Sequence, residues 1–172
     1  NDIIAQSLSN SDNSAAHNVV YHIQATSTGG SCAGAVSDFT QVVNPAPAIT
    51  TSAPSAICDG ASTSITITST IPSTYTWTVT ADPQITGASN GSGNENDVIS
   101  QMLTNSDNSG AHNVVYQLQA TSGFSCTSAI ANLTQVVNPT PQMTVAPSTI
   151  TCSGVSPAVA LTVTAPSDFA WT

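Results

Sequence analysis

The chain has 172 residues, enough for one or two ordinary domains, and 40% of them are hydrophobic, enough to fill compact cores despite many Ser, Thr and Asn. It has no Lys and no Arg against nine acidic residues, a net charge of −9. Phosphate backbones and anionic lipid surfaces are bound mainly through Lys and Arg, so nucleic-acid binding and polybasic membrane docking are excluded. No apolar stretch reaches the ~18 residues of a membrane-spanning helix.

In chain order, the polar segment Asn10 to Ser14 (NSDNS) precedes a β-branched run from Asn18 to Thr26 that reads as a strand. A turn around Gly29, Gly30 and Cys32 follows, then a second strand up to Val43. Asn44-Pro45-Ala46-Pro47 reads as a linker, because paired prolines disfavour helix and cannot continue a ladder. Ser64 to Thr68 alternates with period two, and Tyr75 to Val79 is a strand with its aromatic residues on one face. Gly60, Pro83-Gln84, the stretch Gly87 to Gly93 and Ser122-Gly123 read as turns. Asp97 to Leu103 is either a strand or a helical turn capped by Asp97, and its setting favours strand. Asn113 to Thr121 and Ala129 to Val137 are strands, Asn138-Pro139-Thr140-Pro141 is a second linker, and Ala158 to Val163 alternates again.

Much of this is one pattern written twice. Residues 1–27 recur at 96–122 with 20 of 27 positions identical, and 31–47 recur at 125–141. Ile57-Cys58-Asp59-Gly60 returns as Thr151-Cys152-Ser153-Gly154, and Tyr75-Thr76-Trp77-Thr78 as Phe169-Ala170-Trp171-Thr172. Only 79–95 has no counterpart. Cutting at the Asn-Pro-x-Pro linkers gives one whole module at 46–139, the back part of a preceding module at 1–45 and the front part of a following one at 140–172. That phase predicts a longer array, or ends completed by neighbouring chains.

A unit of 94 residues (Cys58 to Cys152) with about seven short strands and one Trp predicts an all-β fold of tandem immunoglobulin-like sandwiches. Trp77 and Trp171 are expected in the core facing Ile65 or Ile67, together with Tyr21 and Tyr116, and Tyr116 stands where a tyrosine-corner residue would. Cys32 matches Cys126 and Cys58 matches Cys152, with no C-x-x-C spacing, which predicts a disulfide framework over zinc or redox chemistry. The loop cysteine of one module could meet the turn cysteine of its neighbour, or Cys58 could pair with Cys126 inside one module.

Chemistry is sparse. His17 and His112 occupy the same repeat position, and His22 becomes Gln117, so none has a second histidine at ligand spacing and each reads as a surface or strand-end residue. There is no G-x-S-x-G, no Walker loop and no cation to stabilise an anionic transition state, so no enzyme is expected. Glu95, Asp97, Asn105 and Asp107 offer hard oxygen ligands of the kind Ca²⁺ takes, but no EF-hand loop surrounds them, and Asn and Asp are the usual occupants of solvated turns. No other cofactor is expected. Asn90-Gly91-Ser92 and Asn132-Leu133-Thr134 fit the glycosylation sequon, which an Asn- and Ser-rich chain also produces by chance.

The combination of Ile99, Gln101, Leu103 and Asn105, then Val114, Tyr116 and Cys126, then Val136, Val137, Asn138, Pro139 and Pro141, with Ile57, Cys58 and Gly60, resembles the PKD-like repeats of very large secreted Bacteroidetes proteins, including gliding-motility-type adhesins. The resemblance covers essentially the whole chain. It implies export, by the type IX route, and a place at the cell surface in a stalk, filament or adhesin; it carries over no catalytic residues. The expected partners are neighbouring copies in a head-to-tail array, without nucleic acid or membrane insertion. The competing reading is a carbohydrate- or ligand-binding module, against which the aromatic residues available for sugar stacking read as core.

Overall fold

β-Branched and aromatic residues at alternate positions form strands in all three predicted segments. The computed structural model describes residues 2–146 and 150–172, and among these no helix forms. In the first segment β1 (His17–Thr26) and β2 (Ala33–Val43) pair as an antiparallel hairpin, with Tyr21 opposite Phe39 and His22 opposite Asp38.

The complete module follows: β3 (Ile49–Thr51), β4 (Ile57–Cys58), β5 (Ile65–Ser69), β6 (Ser73–Ala81), β7 (Ile85–Thr86), β8 (Gly91–Asn94), β9 (Val98–Ile99), β10 (Thr104–Asn105), β11 (His112–Ser122) and β12 (Ala131–Asn138). One sheet has five strands in the order β4-β12-β11-β6-β8; opposite it lie a three-stranded sheet, β3-β5-β9, and the short pair β10-β7. β4 runs parallel to the end of β12, with Val137 beside Ile57 and Asn138 beside Cys58. The third segment has β13 (Met143–Val145) paired with β14 (Leu161–Val163). The all-β, sandwich-type architecture read from the sequence is the one observed.

Period-two burial builds the core. Val114, Tyr116, Leu118 and Ala120 on β11 meet Leu133 and Val137 on β12, Tyr75 on β6, Ile65 and Ile67 on β5, and Ile85, Ile99 and Leu103. Each fully buried aliphatic side chain contributes about 1.5–3 kcal/mol. Asp97 to Leu103, the ambiguous stretch, is extended: β9 pairs with β5, and Met102 bridges to Ser62.

The aromatic residues differ in their burial. Tyr75 and Tyr116 are the buried aromatic residues, whereas Trp77 is half-buried at the rim and packs against the core from its edge. Its indole N–H donates to Ser89 O at 3.1 Å, and its ring lies over Gly91, where an added Cβ would meet Cζ2 at 2.3 Å. The stretch Gly87 to Gly93, predicted as turn, therefore ends in an edge strand. Gly91 and Gly93 stand opposite Trp77 and Tyr75; the Trp77 ring needs the small residue at 91, while at 93 an added Cβ would meet the Asp97 side chain. Trp171 is 85% exposed, since the chain up to Thr172 supplies no equivalent of β11 or β12 to cover it. Tyr21 is half-buried for the corresponding reason. Nor does Tyr116 make a tyrosine corner: its hydroxyl donates to the Gln101 side chain at 2.9 Å, as that of Tyr21 does to Gln6 at 3.1 Å.

Among the described residues, Tyr75 carries a buried hydroxyl without a hydrogen-bond partner. An unsatisfied buried donor costs about 1–3 kcal/mol, and the corresponding position in the third segment is Phe169. We expect Tyr75→Phe to be neutral or to stabilise the module by about 1 kcal/mol, read as an unchanged or higher denaturant midpoint.

Candidate functional site

Among the described residues, the distinctive geometry lies at the boundaries between modules. The NSDNS segment is a turn that folds on its own side chains. In the complete module Asn105 is buried; its Nδ2 donates to Gly110 O at 2.9 Å and Val137 O at 3.1 Å, while its Oδ1 accepts the Asp107 N–H at 3.0 Å. Asp107 Oδ1 accepts the Ser109 N–H at 2.8 Å and hydroxyl at 2.6 Å. In the first segment Asn10 and Asp12 repeat this: Asn10 Nδ2 donates to Ala15 O and Val43 O, and Asp12 Oδ1 accepts Ser14 N–H and hydroxyl.

These contacts bear on the calcium candidates. Asn105 and Asp107 spend their oxygens inside the turn, while Asp97 caps the β8–β9 turn by accepting the Asn94 N–H at 2.6 Å. Glu95 lies half-buried in that same β8–β9 turn, away from the NSDNS loop in sequence. Among the described residues no three His, Cys, Asp or Glu side chains gather as metal ligands would.

His112 closes the turn electrostatically. Its Nε2 lies 3.0 Å from Asp107 Oδ2 and its Nδ1 3.3 Å from Asp82 Oδ2. Asp107 is held well below the usual carboxylate range, first by the Ser109 hydroxyl and then by His112. Asp82 is lowered by the Asn113 N–H and by His112, and His112 is raised, chiefly by Asp107. The carboxylates stabilise the fold above their ordinary 3.8 and lose that contribution as pH falls through their lowered values. The histidine contributes fully below its ordinary 6.5 and loses its contribution as pH rises through the raised value. Thermal melts across the pH range should therefore show stability falling as pH rises above 6.5, and His112→Gln should flatten that limb and also weaken the acid limb, because His112 helps to hold Asp107 and Asp82 low.

The same turn also forms the junction. Thr70, just after β5, donates from Oγ1 to Asn13 O at 2.5 Å in the preceding segment, and accepts the Ala48 N–H at 3.1 Å. Thr164, just after β14, donates to Asn108 O at 2.6 Å and accepts the Gln142 N–H at 2.9 Å. Both boundaries thus carry one clasp, from a Thr-x-Pro threonine to the NSDNS loop before it. Sequence reading missed it, although Thr70-Ile71-Pro72 and Thr164-Ala165-Pro166 are visible as a repeat. Pro45 and Pro47 of the first linker are buried, beside a cleft lined by Asn13, Ile49 and Ser128 to Ala131. Pro139 and Pro141 are more open, because the third segment has no equivalent of 128–131 to lie over them.

The two incomplete segments expose the faces that the complete module buries. Leu118 and Leu133 are 0% and 8% exposed, whereas Ile23 and Phe39, their counterparts on β1 and β2, are 43% and 53% exposed. Ile99 is 3% exposed and its counterpart Ile4 is 55% exposed. From the other side Val159, Leu161 and Phe169, the counterparts of Ile65, Ile67 and Tyr75, are all exposed.

The four cysteines carry free thiols here, so the expected disulfide framework is not formed in this structure. Cys58 sits at the end of β4 beside Asn138, while Cys126 lies in the loop before β12. An eight-residue strand separates these two ends, roughly 25 Å at about 3.3 Å per residue. Bridged Cα atoms lie about 4.4–6.8 Å apart, so a Cys58–Cys126 bond within one module does not fit.

No curated protein matches the chain. The PKD-like domain family matches residues 55–141, a little over half of the chain, and covers β4 to β12 of the complete module. With that match across its central sandwich, the chain belongs to the PKD-like domain family.

Proposed function

We propose that this chain is a structural repeat of an extracellular head-to-tail array: a stalk, filament or cell-surface adhesin without catalytic activity. PKD-like domains typically serve as extracellular structural or binding modules. The observation that carries the structural reading is the pair of matching Thr-to-NSDNS clasps at the two boundaries. A repeated junction gives a repeated step from module to module, which an extended array requires and an isolated binding domain does not. The open faces of 1–45 and 140–172 are complementary halves of one sandwich, lacking only the equivalent of 79–95. Heterologous contacts of this kind build open filaments when the rotation does not close. Within the complete module the ligand-binding alternative gains nothing comparable, since Tyr75 and Tyr116 are buried and Trp77 is occupied with Gly91.

Electron microscopy and light scattering of the full chain test this. Elongated assemblies that grow with concentration are expected. They should be favoured by added salt, because every subunit carries −9 with no cation to pair across the contact. A monodisperse compact monomer at all concentrations and salt levels would overturn the reading.

A further inference from the structure

We infer that each junction of the array is closed by a disulfide between the loop cysteine of one module and the turn cysteine of the module before it. The inference rests on the head-to-tail reading above. It assigns Cys126 to a Cys152-type partner and Cys32 to a Cys58-type partner.

The argument starts from a cleft of about 700 Å³ against the first segment, lined among others by Leu8, Tyr21, Phe39, Val43, Asn44 and Cys126. Cys126 belongs to the loop of the complete module, whereas the other five belong to the open face of the segment before it. The counterparts of Leu8, Val43 and Asn44 are Leu103, Val137 and Asn138. In the complete module these three hold the turn cysteine in place. Gly60 N–H donates to Leu103 O at 2.8 Å, Ile57 and Cys58 pair with Val137 and Asn138, and Asp59 N–H donates to Asn138 O at 2.9 Å. A turn docked on the first segment through the same contacts places its cysteine in the cleft that Cys126 already lines.

Both cysteines are prepared for that meeting. The 152–155 turn has the form of the 58–61 turn: Val155 N–H donates to Cys152 O at 3.1 Å, as Ala61 N–H does to Cys58 O at 3.0 Å. Gly154 and Gly60 take φ of +85° and +78°. On the loop side, Ser31 and Ser125 immediately precede the cysteines with φ of 51° and 61°, a left-handed conformation that non-glycine residues adopt at a cost. The Cys32 and Cys126 carbonyls accept the Ser27 and Ser122 N–H groups at 3.0 Å each, so both loops are locked alike. In two copies joined head to tail, Cys152 and Cys58 of the preceding copy reach Cys126 and Cys32 of the next.

The chemistry needs an oxidant, here a disulfide of the exporting compartment or a low-molecular disulfide. One cysteine thiolate attacks it and expels a thiolate, and the second cysteine then displaces the remaining thiol from the mixed disulfide. Two cysteine thiols lose two electrons and two protons, and the oxidant becomes two thiols.

The test is oxidation of the full chain with oxidised glutathione, followed by non-reducing peptide mapping with Asp-specific protease, since there is no Lys or Arg for trypsin. Intermolecular Cys126–Cys152 and Cys32–Cys58 peptides are expected, appearing as a ladder on non-reducing gels. Cys152→Ser should leave Cys126 as free thiol while Cys32 and Cys58 still pair. A second protein, two copies of the chain joined through an added copy of residues 79–95, builds the complete junction in one polypeptide. Staples in the tandem protein with a monomeric single chain would retain the disulfide and overturn only assembly between separate subunits. Free thiols, Cys32–Cys126 pairs or Cys58–Cys126 pairs in the tandem protein would overturn the staple.

Discussion

Replacing Tyr116 by Ala should destabilise the complete module by about 3–5 kcal/mol, the range for removing a buried aromatic ring. Tyr116 is fully buried at the centre of β11, where its ring joins the Leu118, Leu133 and Tyr75 packing, and burial pushes its phenol pKa upward. For a module of this size the loss should lower the melting temperature by at least about 12 °C. Tyr116→Phe separates ring from hydroxyl. It keeps the packing but leaves Gln101 without the 2.9 Å bond, and should cost about 1 kcal/mol. Tyr21→Ala, at the matching position of the open first segment, should cost far less in the isolated chain, because its face is uncovered there. Equal losses at 116 and 21 would contradict the distinction between a complete and an incomplete sandwich.

Gly87→Ala should be the most damaging of the glycine substitutions. Gly87 turns the chain after β7 with φ of +91°, and an added Cβ would lie 2.0 Å from Met102 O and 3.2 Å from Met102 C. The obstacle is backbone, which no rotamer change relieves. Left-handed strain and forced displacement together should cost about 2–4 kcal/mol. Two other glycines calibrate the result. Gly60 has φ of +78° but open space around it, so Ala there should cost about 1 kcal/mol through strain alone. Gly123 has neither constraint, and Ala there should be neutral or slightly stabilising. Chemical denaturation of the three variants should preserve that order; a Gly87→Ala protein as stable as the Gly123→Ala one would show that the β7 turn is freely remodelled.

By itself the sequence determined the fold class, the repeat and most strands. These rest on local properties: period-two alternation at 64–68 and 113–121, proline pairs at 44–47 and 138–141, and self-similarity that needs no partner to be seen. It also placed the cysteines as a repeated pair. Tertiary structure decided what depends on neighbours distant in the chain. Gly91 to Asn94 reads locally as turn and becomes an edge strand paired with β6, where the Trp77 ring lies over Gly91. Trp77 packs against the core from outside it, and Tyr75 lies within. Of the oxygens that read as metal ligands, those of Asn105 and Asp107 accept backbone N–H groups two residues on and that of Asp97 accepts one three residues back, a use composition does not reveal. The clasp from Thr70 to Asn13 joins residues 57 positions apart, and the cleft lined by Leu8, Asn44 and Cys126 exists only where one module's loop meets another's open sheet. Periodicity reports which face of a strand is buried. What covers that face is set by packing across the chain, as Leu118 and Leu133 are covered and their counterparts Ile23 and Phe39 are not.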